Sequence, residues 1–194
     1  RIHRMSFEGN RAFSDRQLGN VMTTKTEWIL SFVTGAGNLD REVLKTDMER
    51  LTAYYYDHGY INVRIDEPRV ERKEDGLYLT MRIDEGEQYQ IGEVGFGGEV
   101  PGGEERAKLL VTLQKGQTFK ASTLRDDVFR LTGYFSDQGY AFVNVEPETA
   151  VNPETKKVDV TYRVDKGPEV YVDSIEVAGN REHLHLVRPA GLRE

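Results

Sequence analysis

Apolar positions along the chain follow first the spacing of a helix and then the spacing of strands. Between residues 44 and 55 they recur at intervals of four, three and four, which places them on one helical face. Apolar and polar residues then alternate over 61–65 and again over 77–83, with Glu74-Asp75-Gly76 between the two runs. This part of the chain therefore predicts one long helix followed by two strands joined by a turn.

The same pattern recurs 80 residues further along the chain. Identical residues at this offset are Leu44 and Leu124, Asp47 and Asp127, Arg50 and Arg130, Leu51 and Leu131, Thr52 and Thr132, Tyr54 and Tyr134, Asp57 and Asp137, Gly59 and Gly139, Tyr60 and Tyr140, and Val63 and Val143. Chance is a poor explanation for this many identities at one offset, so the two stretches are copies of one module.

A shorter motif that ends in glycine marks the start of each copy. It begins at Ile2, at Ile91 and again at Val172, with offsets of 89 and 81 residues, so the chain enters a third copy. The larger first offset gives the first copy about eight extra residues before its long helix. The predicted domains are residues 1–87, residues 88–168 and the start of a further, incomplete module over residues 169–194.

Two helices are predicted between the opening strand and the second strand of each copy. In the first copy, the capping box of Ser14 and Gln17 begins a short helix that ends near residue 22. The corresponding short helix of the second copy is expected over about 104–113. It has no equally clear cap.

The long helices are bounded by recognisable caps at both ends. Asp40 and Ser122 are the predicted N-terminal caps. Gly59 and Gly139 follow the last turns, where glycine adopts a left-handed conformation at the least steric cost. Each copy thus has the order strand, helix, helix, strand, strand. We predict an α+β fold of tandem modules, each with a three-stranded sheet covered on one face by two helices.

The second strand of each copy is predicted to lie at a sheet edge. Pro68 and Pro147 fall late in these strands, and proline lacks the N–H that an inner strand needs. An extended peptide can add to an open edge through main-chain hydrogen bonds. The hypothetical protein-binding residues are Ile61, Asn62, Val63, Arg64 and Ile65, and to a lesser degree Ala141, Phe142, Val143, Asn144 and Val145. The alternative is that these are ordinary half-buried strands with protected edges.

Short connections between the modules predict a junction that either docks stiffly or swings. The predicted hinge residues are Gly86, Tyr89, Gly92, Gly167 and Pro168.

The composition is that of globular protein and disfavours some partners. Apolar residues make up 38% and charged residues 30% of the chain, and the net charge is -7. This charge opposes a nucleic-acid partner, since phosphate binding depends on lysine and arginine. Without cysteine, the chain has no disulfide, thiolate nucleophile or cysteine-ligated zinc. No apolar run approaches the roughly 20 residues that span a bilayer, so we expect a soluble region, which can still belong to a longer membrane protein.

No catalytic or cofactor site is expected. Gly95-Phe-Gly-Gly98 lacks the lysine of a phosphate-binding loop and is interpreted as a turn. His183 and His185 have no third metal ligand nearby. The paired carboxylates are given structural interpretations: Asp84-Glu85 as solvated residues at a strand end, and Asp126-Asp127 as charges that favour the helix dipole. An enzyme is therefore disfavoured.

Four tyrosines near the end of the first long helix are the best argument for an RNA-binding module. Stacked bases need exposed aromatic rings with interleaved basic residues. Tyr55 belongs to the apolar helical stripe and Tyr60 opens a strand, and the basic residues are missing. RNA binding is kept as a disfavoured alternative.

Several of these segments resemble POTRA domains. The resemblance is carried by Phe7-Glu-Gly-Asn10, by the stretch from Tyr54 to Tyr60 and by the stretch from Tyr134 to Tyr140. The segment from Trp28 to Gly37 and the run Asp84-Glu-Gly-Glu-Gln-Tyr89 are similar to the third POTRA domain of BamA-like outer-membrane protein assembly factors. The second copy would then be the fourth domain and residues from 170 onward the opening of the fifth.

The resemblance implies a periplasmic scaffold with chaperone-like binding. Its implied partners are unfolded outer-membrane proteins, accessory assembly lipoproteins and a C-terminal membrane β-barrel of the parent chain. Catalysis, a cofactor and nucleic acid are not implied. The alternative within the superfamily is the POTRA region of a two-partner secretion or plastid import transporter; secretion transporters have two POTRA domains, whereas this chain begins a third.

Overall fold

The computed structural model describes residues 2–23 and 41–168. The first module consists of β1 (Ile2–Glu8), α1 (Asp15–Val21), α2 (Arg41–Tyr56), β2 (Arg64–Ile65), β3 (Arg69–Lys73) and β4 (Gly76–Asp84). The second module consists of β5 (Gln90–Gly98), α3 (Glu104–Lys108), α4 (Ala121–Asp137), β6 (Asn144–Asn152) and β7 (Lys157–Asp165). The predicted Asp40 cap, the segment from Trp28 to Gly37, the third copy and the two C-terminal histidines lie outside the described residues.

Each module has one mixed sheet with its last strand in the centre. In the first module β4 pairs with β1 in parallel and with β2 and β3 in antiparallel fashion. In the second module β7 pairs with β5 in parallel and with β6 in antiparallel fashion. The predicted order of elements is confirmed, and the second strand lies at a sheet edge in both modules as expected. In the first module this strand is divided into β2 and β3.

The described residues form two separate hydrophobic cores, one in each module. The first core contains Phe7, Leu18, Met22, Leu44, Leu51, Tyr55, Val63, Leu79, Met81 and Ile83. The second contains Tyr89, Ile91, Ala107, Leu113, Phe119, Leu124, Leu131, Phe135, Val143, Val145, Val158, Val160, Tyr162 and Val164. Both combine the helical stripe with alternate residues of the strands, so one face of each sheet is covered.

The glycine-rich and capping predictions had mixed outcomes. The capping box of Ser14 and Gln17 is present at the start of α1. Gly59 and Gly139 have φ angles of +85° and +97°, as predicted for helix ends. The segment of residues 95–98, interpreted as a turn, belongs instead to β5.

Two helix boundaries in the second module differ from the prediction, and hydrogen bonds to carboxylates explain both. α3 ends at Lys108 rather than near residue 113, because the amides of Thr112 and Leu113 donate to Asp127 instead of to helical carbonyls. α4 begins at Ala121 after Lys120, and Ser122 is not its cap. The Ser122 amide donates to Asp57 of the first module.

Asp127 is a fully buried carboxylate that ties α4 to the rest of the second module. It accepts hydrogen bonds from the Thr112 and Leu113 amides at 2.9–3.0 Å, from the Thr112 hydroxyl at 2.7 Å and from the Tyr162 hydroxyl at 2.9 Å. The Arg130 guanidinium lies 2.8 Å from it. The interpretation of Asp127 as a dipole charge was therefore wrong, because its side chain turns into the core and replaces lost helical hydrogen bonds.

The first module contains two related carboxylates. Asp47, also fully buried, accepts from the Thr23 amide at 2.7 Å, as Asp127 does from Thr112. Glu85 is 7% exposed and accepts from the Ala12 amide at 3.0 Å and from the Tyr55 hydroxyl at 2.9 Å. The expected solvation of Glu85 was wrong, because it closes the loop after β1 over the core.

The donors around Asp127 determine its charge state. Burial alone would raise the pKa of Asp127, but the hydrogen bonds from Thr112, Leu113 and Tyr162 outweigh it and lower the pKa below its usual value. Burial and the neighbouring carboxylate raise the pKa of Tyr162, so its hydroxyl stays protonated and donates. The carboxylate is thus ionised at neutral pH.

Replacing Asp127→Asn is expected to destabilise the second module by about 3 kcal/mol at pH 7, because the amide cannot accept from all these donors. A carboxyl with a lowered folded-state pKa stabilises the fold above its unfolded value of 3.8, and this stabilisation is lost as the pH falls through the folded-state pKa. The difference in the free energy of unfolding between the parent and Asp127→Asn should therefore narrow below about pH 4. Urea unfolding followed by the Val160 amide signal measures it.

Asp126→Asn is the matched control, since Asp126 is exposed and adjacent. It should change the free energy of unfolding by less than about 0.5 kcal/mol. If the difference in unfolding free energy between the parent and Asp127→Asn stayed constant down to pH 2, this would contradict an ionised, stabilising carboxylate at Asp127.

Candidate binding edges and the junction between the modules

The predicted binding strands begin later than the sequence suggested. Residues 61–62 and 141–142 lie in turns, and the strands start at Arg64 and Asn144. The reason is the way each long helix ends: the Tyr60 amide donates to the Tyr55 carbonyl at 3.0 Å, and the Val63 amide donates to Tyr60 at 3.3 Å. The same bonds recur in the second module. Alternation of apolar residues across this turn imitates a strand.

The predicted residues before the strands have other surroundings. Val63 and Val143 are buried in their own modules. Ile61 packs against the core of the second module, and the Asn62 side chain donates to the Tyr89 hydroxyl at 3.1 Å. Phe142 is 63% exposed. Only Arg64, Ile65, Asn144 and Val145, from the ten predicted residues, lie in strands.

β6 presents a regular, open edge. It pairs with β7 without interruption from Asn144 to Asn152. The Val164 carbonyl of β7 accepts from Glu99 on the β5 side, and main-chain groups alternate in direction along a strand. On β7, Val164 and every second residue before it point their main-chain groups towards β5. The β6 residues that pair with them therefore point their main-chain groups away from β7. These outward residues are Val145, Pro147, Thr149 and Val151.

The outward residues of β6 also share one face of the sheet. Their partners on β7, from Val158 to Val164, are buried, so these side chains lie on the helix-covered face. Helices cover only the beginning of the strand: Val145 is buried, whereas Val151 is 44% exposed. Because their main-chain groups point away from β7, the amides of Val145, Thr149 and Val151 are not used in the β6–β7 ladder, and no hydrogen bond outside that ladder involves them among the described residues. An added strand would find free donors and a partly exposed apolar row.

The corresponding edge of the first module is interrupted by a bulge. The Asp66 amide donates to Arg82 at 3.0 Å, and the next paired residue, Arg69, faces Thr80. Two residues, Glu67 and Pro68, therefore oppose one residue of β4. The bulge shortens the regular edge to a two-residue and a five-residue piece. Bulges of this kind protect edges from pairing.

The other edge of the second sheet is occupied at its start. The Gly116 amide donates to the Ile91 carbonyl at 2.8 Å, and the Ile91 amide donates to Gln117 at 2.7 Å. The Phe119 amide adds a bond to Tyr89 at 3.0 Å. The segment before α4 thus covers the beginning of β5.

The predicted hinge residues of the first junction take part in contacts between the modules. Tyr89 is 3% exposed and belongs to the second core, while its amide donates to the Gly59 carbonyl at 2.8 Å. Gln88 donates to the His58 carbonyl at 2.9 Å. The Asp57 carboxylate accepts from the Ser122 amide at 2.7 Å and thereby caps α4 of the second module. These bonds favour stiff docking.

The remaining hinge residues have distinct places. Gly86 and Gly167 have φ angles of +66° and +63° at equivalent positions after β4 and β7. Gly92 lies in a register shift of β5, where a Cβ atom would collide with the Asp159 carboxylate. Pro168 is exposed and is the last described residue.

Gly59 lies at a close approach between the two modules. A Cβ atom on it would lie 2.8 Å from both the Tyr89 carbonyl oxygen and the Thr118 side chain. Among the described residues, no atom lies within 4 Å of the same position on Gly139, its equivalent in the second module. Only the first of the two glycines is therefore required by a neighbouring module within the described residues.

Sequence reasoning missed the carboxylates that organise this region. Asp57 and Asp127 were present among the residues identical between the copies, and that recurrence was the available signal. What the sequence did not show is their bonding partner. Asp57 and Ser122 are 65 residues apart.

Two other kinds of feature are absent from the described part of the chain: a cluster that could hold a metal ion and a helix that could span a membrane. Across residues 2–23 and 41–168, no three histidine, aspartate or glutamate side chains are grouped so that they could hold a metal ion. Within the same ranges, no helix has both the length and the apolar character to cross a bilayer.

Comparison with protein families gives a consistent match. The model of the POTRA family, described as surface antigen variable number repeat, matches residues 1–86 and 89–167. The outer membrane protein assembly factor BamA of Nitratidesulfovibrio vulgaris is 31% identical over 185 residues, and that of Neisseria meningitidis serogroup B is 28% identical over 199 residues. These alignments cover 93% and 100% of this chain but 23% and 25% of the relatives. The chain thus spans about a quarter of their length.

Solved structures show the same fold. The crystal structure of Haemophilus influenzae BamA POTRA3-5 has a TM-score of 0.69 at 20% identity, covering 92% of this chain and 71% of that one. POTRA1-2 of the periplasmic domain of Omp85 from Anabaena has a TM-score of 0.52 at 18% identity, covering 86% and 95%. The predicted α+β fold is confirmed.

The contacts at Gly59 lead to a prediction about motion between the modules. Gly59→Ala and Gly139→Ala each place alanine in a left-handed conformation, at a cost of about 1 kcal/mol. Within the described residues, only Gly59→Ala also intrudes on a neighbouring module. We expect the residual dipolar couplings of the two modules to fit one alignment tensor in the parent chain and in Gly139→Ala, but to need two tensors in Gly59→Ala.

Two different tensors in the parent chain would contradict stiff docking. Equal behaviour of the two alanine variants would show that the close approach at Gly59 does not hold the modules together.

Proposed function

This chain belongs to the POTRA family and is the POTRA region of a BamA-like outer-membrane protein assembly factor, and on that premise we propose that it binds extended segments of unfolded outer-membrane proteins. The resemblance predicted from the sequence is confirmed. The region is periplasmic. It acts by binding, and its chemistry is main-chain hydrogen bonding rather than catalysis.

The proposed partners follow from this family. Unfolded outer-membrane proteins are the clients, and accessory assembly lipoproteins and the C-terminal membrane β-barrel of the parent chain are the remaining partners. Main-chain pairing at a sheet edge suits clients that differ in sequence, because it reads the backbone rather than the side chains. The side chains beside the edge then favour client strands in which apolar and polar residues alternate.

The observation that carries the proposal is the open edge of β6. It is nine residues long, has no register shift and points three main-chain amides away from β7, at Val145, Thr149 and Val151. Pro147 removes one further donor, which reduces indiscriminate pairing while leaving its carbonyl available. We place the principal client site here, in the second module, and a weaker one at β2, where Ile65 occupies the short segment before the bulge.

The two faces beside β6 favour an amphipathic strand. Pro147, Thr149 and Val151 extend the helix-covered face of the sheet. Glu146 and Glu148 lie on the opposite face, which is called the charged face here. Strands of membrane β-barrels alternate apolar and polar residues with a period of two. Such a strand can place its apolar residues beside Val151 and its polar residues beside the glutamates.

The direction of the main chain gives a sharp test. Addition of a synthetic barrel-strand peptide should slow hydrogen exchange at the amides of Thr149 and Val151, which point outward. Ala150 should be unaffected, because its amide already donates to β7. Thr149→Pro removes one outward donor without removing a β6–β7 bond and should weaken peptide binding about tenfold. Isothermal titration measures the affinity, with parallel exchange measurements by NMR.

Thr149→Val is the matched control, since it keeps the amide and the β-branched shape and should bind as the parent does. A retained set of β7 amide signals shows that Thr149→Pro is folded. Equal affinities for the Pro and Val variants, or unchanged exchange at Thr149 on saturation, would rule out addition at this edge.

A further inference from the structure

The edge strands of the two sheets carry opposite charge. β6 contains two glutamates and no lysine or arginine, whereas β3 contains two arginines, one lysine and one glutamate. The contrast includes one equivalent position. Arg69 faces Thr80 in the first sheet. Glu148 faces Thr161 in the second sheet, and the two threonines are 81 residues apart, as are the glycines that follow the last strand of each module.

Both glutamates of β6 are exposed and are held in place on the charged face. The Asn144 side chain donates to Glu146 at 2.9 Å. Arg163 of β7 donates to both oxygens of Glu148, at 2.6 and 3.0 Å, and thereby lowers the pKa of this carboxyl below its usual value. The Glu148 side chain is nevertheless 52% exposed, and a carboxylate oxygen can accept a second hydrogen bond. Both carboxylates are thus oriented beside the edge and open to a further cation.

An added antiparallel strand would bring its side chains closest to β6 at these two glutamates. The main-chain groups of Glu146 and Glu148 are directed towards β7, because those of their neighbours point away from it. The added strand therefore meets the glutamates at positions without main-chain hydrogen bonds. Opposed Cα atoms are about 4.5 Å apart at such positions rather than about 5.5 Å, so the side chains interact most strongly there. Two residues of the added strand, at i and i+2, face the two glutamates.

We propose that β6 selects client strands whose polar row is basic, with lysine or arginine at i and i+2 opposite Glu146 and Glu148. Selection of this kind rests on the proposed binding at the edge and specifies the class of segment that binds there. Opposite charges across two strands stabilise the pairing, and like charges destabilise it. The arginine at the equivalent place in the first module indicates that the fold itself does not require an acid at this position.

Titration with three synthetic barrel-strand peptides measures the selection. The peptides share their apolar residues and carry two lysines, two serines or two glutamates at the i and i+2 polar positions. At low ionic strength we expect the parent chain to bind the lysine peptide about tenfold more tightly than the glutamate peptide, with the serine peptide between them. The ratio should shrink at about 0.5 M salt, because exposed charges are screened there.

Two double variants with the same change in net charge separate the edge from the whole chain. Glu146→Gln, Glu148→Gln should bring the ratio of the lysine and glutamate peptide affinities close to one. Glu104→Gln, Glu105→Gln is the matched control on α3, where both glutamates are exposed, and it should leave the ratio unchanged. Glu148→Arg gives β6 the residue found at this place in the first module, and it should bind the glutamate peptide at least as tightly as the lysine peptide.

Exchange of the Thr149 amide locates the bound peptide, and protection of the Val160 amide reports that each variant is folded. If no peptide slows exchange at Thr149, the proposed function fails, and charge selection fails with it. If the peptides slow that exchange but bind with equal affinity, edge binding stands and charge selection is wrong. An equal loss of the preference in the two double variants would assign it to the net charge of the chain and overturn the role of the two glutamates.

Discussion

The hydrogen bond from the Tyr60 amide to the Tyr55 carbonyl closes the turn that ends the long helix of the first module. This turn fixes two other features. It delays the edge strand to Arg64, and it presents Asp57 and Gly59 to the second module, where they contact Ser122 and Tyr89. The same bond in the second module, from Tyr140 to Phe135, delays β6 to Asn144. One local geometry therefore sets both the sheet edge and the junction.

Buried hydroxyls and carboxylates show how the two copies of the module have diverged in sequence while the buried polar groups of each keep their hydrogen-bond partners. In the first module the buried hydroxyl is on the helix, at Tyr55, and its acceptor is Glu85. The equivalents of these two residues are Phe135 and Lys166, neither of which can make that bond, and Lys166 instead lies 2.9 Å from Glu99. The second module carries its hydroxyl on the sheet, at Tyr162, with Asp127 as acceptor. A buried hydroxyl needs a partner, so each moved hydroxyl is matched by its own acid.

Sequence patterns predicted the elements that depend on local periodicity and missed those that depend on distant partners. The helical stripes, the Ser14 capping box and the edge position of the strands with Pro68 and Pro147 came from neighbours within a few residues. The end of α3 and the start of α4 did not, because Asp127 and Asp57 take hydrogen-bond donors from elsewhere in the fold. Strand alternation misled at Ile61 because this residue packs against the core of the second module while Val63 is buried in its own.

The unequal edges of the two sheets suit different tasks. A bulge at Glu67 and Pro68 breaks the first edge, whereas β6 runs regularly for nine residues with Pro147 as its one missing donor. An unprotected edge of this length invites aggregation unless something limits pairing. The proline and the glutamates on the charged face supply that limit without closing the edge. An edge that is restrained but open is the form expected where a partner strand must bind and also leave, and it is the second module, not the first, that has it.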